Sequence, residues 1–338
     1  MESIFCVSSD GKILWYVNDI TITQCVVPNG ITEIGIYAFK DCKSLESIVI
    51  PNSVSSIFRN AFSGCTSLEH IYLPECVTCI CNGTFDDTKW FEIQPQGPVY
   101  INNIFYTYKG EAEGGMLTIK EGTTIIAPGA FYGCTWLVNI VLPESVRHIG
   151  FQAFQNCTSL MRIDMPSIAS IGVKAFCGCT SLESIDLPKS VTYIGCEAFE
   201  GTKWLANQPE GPVYLNDLFY MYKGKAEGGM LTIREGTTLI VSSAFKDCTW
   251  LEHISIPESI MEIDWQTFSG CVSLKCVELP DNLVVIDEEC FSDCTSLKNI
   301  VLPDGIEEIG WRAFSNCTSL ESIVIPECVT RIASDTFY

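Results

Sequence analysis

Apolar residues recur along this chain in one fixed order, L-x-x-I-x-I followed by proline, roughly every 23 residues, the length of one short solenoid repeat. Ser44-Leu45-Glu46-Ser47-Ile48-Val49-Ile50-Pro51 returns as Ser67-Leu68-Glu69-His70-Ile71-Tyr72-Leu73-Pro74 and again as Ser319-Leu320-Glu321-Ser322-Ile323-Val324-Ile325-Pro326. A period of this length marks a solenoid, whose coils cannot bury their apolar residues alone and must stack. Phenylalanines at 39, 62, 85, 131, 154, 176, 199, 245, 268, 291, 314 and 337 keep the count. Two of their steps are twice the period, so the count runs unbroken through both gaps. Lys120 and Arg234 stand there in slots that other coils give to proline.

Within one coil, Leu45, Ile48 and Ile50 predict a short strand with alternate residues inward, stacked about 4.8 Å from its neighbours in a parallel sheet. Pro51, with no N–H to give, ends the strand. Val54 and Ile57 return to the core. Ala61, Phe62, Cys65 and Leu68 follow at spacings of one and three, which predicts a tight helical turn on the opposite face. The expected fold is therefore an α/β repeat solenoid, with a parallel β-sheet on one face and short helical turns on the other.

The phrase I-P-x-x-V-x-x-I-G-x-x-A-F-x-x-C-x-S-L-x-x-I is distributed over many coils. Its first half stands in Pro188-Lys189-Ser190-Val191-Thr192-Tyr193-Ile194-Gly195-Cys196-Glu197-Ala198-Phe199 and its second in Asn316-Cys317-Thr318-Ser319-Leu320-Glu321-Ser322-Ile323. It resembles the BspA-like branch of the leucine-rich repeat family, over nearly everything after Asp19. The resemblance implies a right-handed leucine-rich-repeat coil in a microbial surface or secreted protein. It also implies attachment to host or neighbouring-cell proteins or glycans.

The expected organisation is an N-terminal β-hairpin cap over 1–27 and a continuous solenoid over 28–338. Two β-hairpin modules interrupt it, in coils at about 89–119 and 203–233. The segments from Lys89 and Lys203 are 43-residue copies that agree at 29 positions, 114 residues apart. Val99-Tyr100-Ile101, a turn at Asn102-Asn103 and Phe105-Tyr106-Thr107-Tyr108 predict the hairpin. Its aromatics have two readings. They close the core where a regular coil is missing, or they project outward as a patch of the kind that dominates interfaces. The candidate contact residues of the modules are Trp90, Tyr100, Tyr106, Tyr108, Trp204, Tyr214, Tyr220 and Tyr222. The outward slots of the regular strands add His70, Tyr72, Arg162 and His253.

Charge narrows the partners. Twenty basic against 41 acidic residues leave a net charge of −21 and a pI near 4.4, a poor match to nucleic acid or to acidic membranes. Apolar content is 47% and mean hydropathy +0.23. That is high for a soluble globule but follows from inward residues in every coil. No apolar run is long enough to predict membrane insertion. Met1-Glu2-Ser3-Ile4-Phe5-Cys6 is not a signal peptide of recognisable form, which keeps a cytoplasmic location open. The chain stops at Phe337-Tyr338 partway through a coil, so a monomer or part of a longer chain is expected.

Nineteen cysteines raise the question of disulfides and metals. Nine of them share one slot, three residues after the phenylalanine: Cys42, Cys65, Cys134, Cys157, Cys179, Cys248, Cys271, Cys294 and Cys317. A small, slightly polar buried side chain suits that slot, and parallel Cβ vectors disfavour bridging, so free thiols are expected. Cys76, Cys79 and Cys81 form the best metal candidate, yet zinc needs four ligands and no second cluster accompanies them. Cys76 and Cys79 flank inward residues and are candidate surface thiols. No metal or cofactor is expected, and no catalytic residue: His70, His148 and His253 do not form a triad with Ser and Asp, and Gly114-Gly115 opens no helix. The sequence thus predicts a non-enzymatic binding module, with an intracellular interaction scaffold as the alternative.

Overall fold

The computed structural model describes residues 4–338 and divides into two compact units. One runs to Val191 and includes Glu197–Leu205; the other comprises Thr192–Cys196 and Ala206–Tyr338. Each is a parallel β-solenoid.

In the first unit Gln24–Val26, Ser47–Val49 and His70–Tyr72 pair in parallel, each residue opposite its equivalent in the next coil. Met116–Thr118, Asn139–Val141 and Arg162–Asp164 repeat the arrangement. Met230–Thr232, His253–Ser255 and Cys276–Glu278 do so in the second unit. After each proline the chain turns, with the Val54 N–H donating to the Pro51 carbonyl. It then enters a two-residue strand such as Ser56–Ile57 or Cys79–Ile80, again paired in parallel with its neighbour. Phe5–Val7 and Ile13–Val17 pair antiparallel, and Ile13–Val17 runs parallel to Glu33–Ile34.

The expected helical turns are a correction. The segment around each phenylalanine is a series of three-residue turns: Ala61 N–H to Phe58 O, Ser63 to Asn60 and Cys65 to Phe62. Two left-handed residues per coil forbid a helix there, one two places before the phenylalanine and one two places after. Asn60, Gln152, Glu289 and Arg312 hold the first position; Asp41, Asn156, Asp293 and Asn316 hold the second. Such residues occur singly and cannot propagate a right-handed helix.

Between these turns and the strands lies the core. Phe39, Phe62 and Phe85 stack at centroid distances of 5.0 and 5.5 Å, and Phe131, Phe154, Phe176 and Phe199 continue at 5.0–5.5 Å. In the second unit Phe245, Phe268, Phe291, Phe314 and Phe337 do the same. The nine cysteines of the shared slot are free thiols. Six thiols of the shared slot donate across coils to the carbonyl of the preceding coil's phenylalanine, among them Cys65 to Phe39, Cys157 to Phe131 and Cys271 to Phe245, at 2.9–3.0 Å. Where it forms, that bond explains the preference for cysteine over alanine, in a slot that is buried in six of its nine coils and half-buried in Cys134, Cys248 and Cys317.

Candidate binding surface

Every coil leaves the outward residues of its three-residue strand on the surface, and parallel register aligns them in columns. In the first unit Val26, Val49 and Tyr72 form one column, with Val26 68% and Tyr72 60% exposed. Gln24, Ser47 and His70 form the next, and His70 is exposed. Farther along, Met116, Asn139 and Arg162 lie beside Thr118, Val141 and Asp164. Arg162 is exposed and bonds Asp164 on its own strand at 2.9 Å. In the second unit His253 is half-buried between Met230 and Cys276, over a shallow groove of about 310 Å³ that Glu278 also lines. The four strand candidates therefore all lie on sheet faces, and His70, Tyr72 and Arg162 are open to solvent.

The hairpin candidates are placed differently. Gly97–Ile101 and Ile104–Lys109 pair antiparallel, and Gly211–Leu215 with Leu218–Lys223 likewise. The second strand of each then joins the parallel ladder, Ile104-Phe105 against Ile125-Ile126 and Leu218-Phe219 against Leu239-Ile240. This sets Phe105 against Phe131 at 4.6 Å and Phe219 against Phe245 at 4.8 Å. The phenylalanine missing from each double step is thus supplied by the hairpin, at Phe105 and Phe219, where the repeat count alone points to Tyr108 and Tyr222.

Tyr106, Tyr220 and Trp204 are buried, which corrects their place among the candidate contact residues: no partner can reach them. The Tyr106 hydroxyl accepts the Phe85 N–H at 3.2 Å. In regular coils that N–H donates to a carbonyl of the next coil, as Phe39 does to Ala61 and Phe62 to Thr84. Here the next coil is absent, and a phenol takes the carbonyl's place. Burial pushes the Tyr106 hydroxyl far above the usual tyrosine range.

Trp90, Tyr100, Tyr108, Tyr214 and Tyr222 are half-buried and committed to internal contacts. Trp90 tilts onto Phe85 at 5.0 Å, Tyr108 onto Trp136 at 4.9 Å and Tyr222 onto Trp250 at 4.8 Å. Tyr100 accepts the Lys120 N–H at 3.0 Å, and Tyr214 the Arg234 N–H at 3.0 Å. These bonds explain why Lys120 and Arg234 replace proline, which has no hydrogen to donate. The Arg234 guanidinium also lies 4.3 Å from the Tyr214 ring.

The cysteine slot changes to Thr88 and Thr202 where each module begins. Thr88 accepts from Phe91 N–H and caps the four-residue helix Lys89–Glu92; Thr202 accepts from Leu205 N–H at the start of Lys203–Ala206. A hydroxyl caps a helix better than a thiol. Lys109 closes the other end, its ammonium bonded to the carbonyls of Phe91, Glu92 and Gln94. The repeated K-W and Y-K-G phrases of the modules are thereby explained as construction.

His148 bonds Ser170 at 2.8 Å. Cys76 donates instead to the carbonyl of Asn52 at 3.0 Å. Among the described residues no group of three His, Cys, Asp or Glu side chains could hold a metal ion. No helix among them is long and apolar enough to cross a membrane.

The chain matches the BspA type leucine rich repeat region in six copies, over residues 15–108, 100–208 and 219–338. No curated protein matches it. Among solved structures it is similar to a leucine rich cell surface protein from Faecalibacterium prausnitzii, with 23% identity, 98% of this chain and 89% of that one covered, and a TM-score of 0.39. A leucine-rich repeat protein from Bacteroides ovatus is 26% identical, with 97% and 80% covered and a TM-score of 0.33. The pneumococcal vaccine antigen PcpA is 16% identical, with 97% and 78% covered and a TM-score of 0.40.

Proposed function

The chain belongs to the BspA-type leucine-rich repeat family, and on that premise we propose that it is a non-enzymatic protein-binding module of a microbial surface or secreted protein. It recognises a protein or glycan of the host or of a neighbouring cell. One observation carries the reading: the three-residue strands present varied, exposed side chains in aligned columns, including Val26, Val49 and Tyr72. A flat array with an exposed aromatic beside His70 is the kind of surface from which interface anchors are drawn. Tyr72, His70 and Arg162 are its contact residues in the first unit, and His253 is the candidate on the second unit's own strand face. The hairpin aromatics that remain half-exposed, Trp90, Tyr100, Tyr108, Tyr214 and Tyr222, have a secondary place at its margin.

A second reading, an intracellular interaction scaffold, is favoured by the free thiols of the shared cysteine slot, since disulfides are rare in reducing compartments. Pull-down with the purified chain against matrix proteins, glycan arrays and lysate separates the two. Saturable capture of an extracellular ligand, lost in a variant carrying Val49→Ala, Tyr72→Ala and Arg162→Ala, supports the surface module. Capture from lysate alone would favour the scaffold. A variant changed only at Tyr100 and Tyr108 should retain binding.

A further inference from the structure

The turn of the first hairpin, Asn102-Asn103, borders a surface groove of about 500 Å³, within the size range of ligand sites. Glu75, Tyr100, Asn102, Asn103, Lys120 and Glu121 line it. Both amide nitrogens are committed to the frame, Asn102 Nδ2 to the Pro74 carbonyl at 3.0 Å and Asn103 Nδ2 to Thr124 Oγ1 at 2.6 Å. Each amide therefore offers a ligand its acceptor oxygen. The carboxylates of Glu75 and Glu121 are exposed and unpaired. Lys120 supplies the one cation; its ammonium lies 5.9 Å from the Tyr100 ring and bonds neither carboxylate. The groove is rich in acceptors and carries an excess of negative charge.

The second module shows what such a seat holds. Tyr100, Asn102, Asn103 and Lys120 correspond there to Tyr214, Asn216, Asp217 and Arg234, 114 residues on. The Arg234 guanidinium donates to the Asn216 carbonyl at 2.8 Å and to the Asp217 carboxylate at 3.3 Å, with its carbon 4.3 Å from the centre of the Tyr214 ring. A planar guanidinium stacks on an aromatic face while its edge donates to several acceptors, whereas an ammonium is a point charge. With lysine for arginine and asparagine for aspartate, the first module keeps the aromatic floor and the turn but has no guanidinium of its own. Glu75 adds a carboxylate where the second copy has Lys189.

We propose that the first-module groove seats an arginine side chain of a protein partner. The guanidinium lies over Tyr100, donates to the Asn102 carbonyl as Arg234 does to Asn216, and is held by the carboxylates of Glu75 and Glu121. The proposal rests on the protein-binding reading above and adds one contact at the margin of that surface.

The surroundings fit that occupant. The Tyr100 ring is fixed in advance, its hydroxyl bonded to the Lys120 N–H at 3.0 Å and Phe105 set at right angles to it at 5.3 Å. A chain of net charge −21 draws in basic segments, and arginine is among the residues that anchor interfaces. Lys120 opposes entry. Its side chain is exposed and its ammonium is bonded to nothing, so it swings aside, and two carboxylates outweigh it.

The test uses the full chain, isotope-labelled for amide NMR at low salt. It is titrated with acetyl-Gly-Arg-Gly-amide and with the same peptide carrying lysine or citrulline. The arginine peptide should move the Asn102, Asn103 and Gly122 signals saturably, and about threefold more tightly than the lysine peptide. The neutral citrulline peptide should move none of them. Asn103→Asp combined with Lys120→Arg gives the first module the residues of the second and should weaken the arginine peptide about fivefold. Glu75→Lys, again the second module's residue, should weaken it in the same direction. Absence of saturable shifts, an equal response to citrulline, or full binding in both substituted chains would overturn the proposal. So would stronger shifts with the neutral disaccharide maltose, which would assign the groove to a glycan. Shifts that follow protein concentration alone would place a second copy there and overturn it too. None of these outcomes bears on the strand face, whose own test is the loss of capture with Val49→Ala, Tyr72→Ala and Arg162→Ala.

Discussion

Removing the Tyr106 hydroxyl isolates the device that closes the solenoid at the first module. Tyr106 is 1% exposed, and its oxygen accepts the Phe85 N–H at 3.2 Å. The Phe85 ring is itself fully buried, against Trp90 at 5.0 Å and Tyr106 at 5.7 Å. Tyr106→Phe keeps the ring and its packing but leaves that amide without an acceptor in a site water does not enter. An orphaned buried donor costs about 1–3 kcal/mol. Tyr106→Ala adds a cavity and should cost about 3–5 kcal/mol, the range for losing a large buried aromatic side chain. The assay is urea unfolding together with amide exchange at Phe85, since local opening in a repeat protein need not follow the global transition. Tyr106→Phe should lower the urea midpoint and speed Phe85 exchange at least tenfold, leaving the Phe39 amide unchanged. Wild-type exchange at Phe85 in that variant would refute the substitution of phenol for carbonyl.

Four further outcomes are expected. Lys120→Pro and Tyr100→Phe each break the bond between the Lys120 N–H and the Tyr100 hydroxyl, so their combined destabilisation should fall about 0.5–1 kcal/mol short of the sum in a double-mutant cycle. Cys157→Ala removes a buried donor to the Phe131 carbonyl and should cost about 1–2 kcal/mol by urea unfolding; unchanged stability would leave the thiol as mere filler. Gly178→Ala should cost about 1–2 kcal/mol in the same assay, because φ is +75° there and the new Cβ would lie 2.3 Å from the Asn156 side-chain oxygen. Burial chiefly, and then the Asp264 carboxylate, raises Asp287 above the usual carboxyl range. A raised folded pKa means stability present below the unfolded value, near 4, and lost as pH climbs through the folded one. Asp287→Asn should therefore raise the melting temperature at pH 7 and leave it nearly unchanged at pH 3.

The regular coils were legible because their period reports burial directly. Leu45, Ile48, Ile50, Val54, Ile57, Phe62 and Cys65 have equivalents in coil after coil and are all buried. The turns were misread for a physical reason. Spacings of one and three are shared by helices and by successive three-residue turns, and only a left-handed residue tells them apart. Asp41, Asn156, Asp293 and Asn316 carried that signal, since Asn and Asp tolerate positive φ better than other non-glycine residues. Reading exposure from the pattern succeeds at His70, Tyr72 and Arg162, where alternation along a strand turns one residue in and the next out. It failed at Tyr106, Trp204 and Tyr220, because an aromatic in an irregular segment carries no period to reveal the side it faces. Thr88, in place of the repeated cysteine, was the overlooked sign that a helix starts there.

The sequence by itself determined the repeat, the inward positions and the family resemblance, because each rests on local pattern multiplied along the chain. Tertiary structure alone decided how each module closes. Phe105 enters the phenylalanine stack out of step with the repeat, the Tyr106 hydroxyl stands in for a carbonyl, and Lys120 displaces proline to serve Tyr100. Each of these is a contact between residues far apart in the chain and outside the repeat. Their partners are set by which backbone groups stacking leaves unpaired, and that becomes known only when the coils are in place.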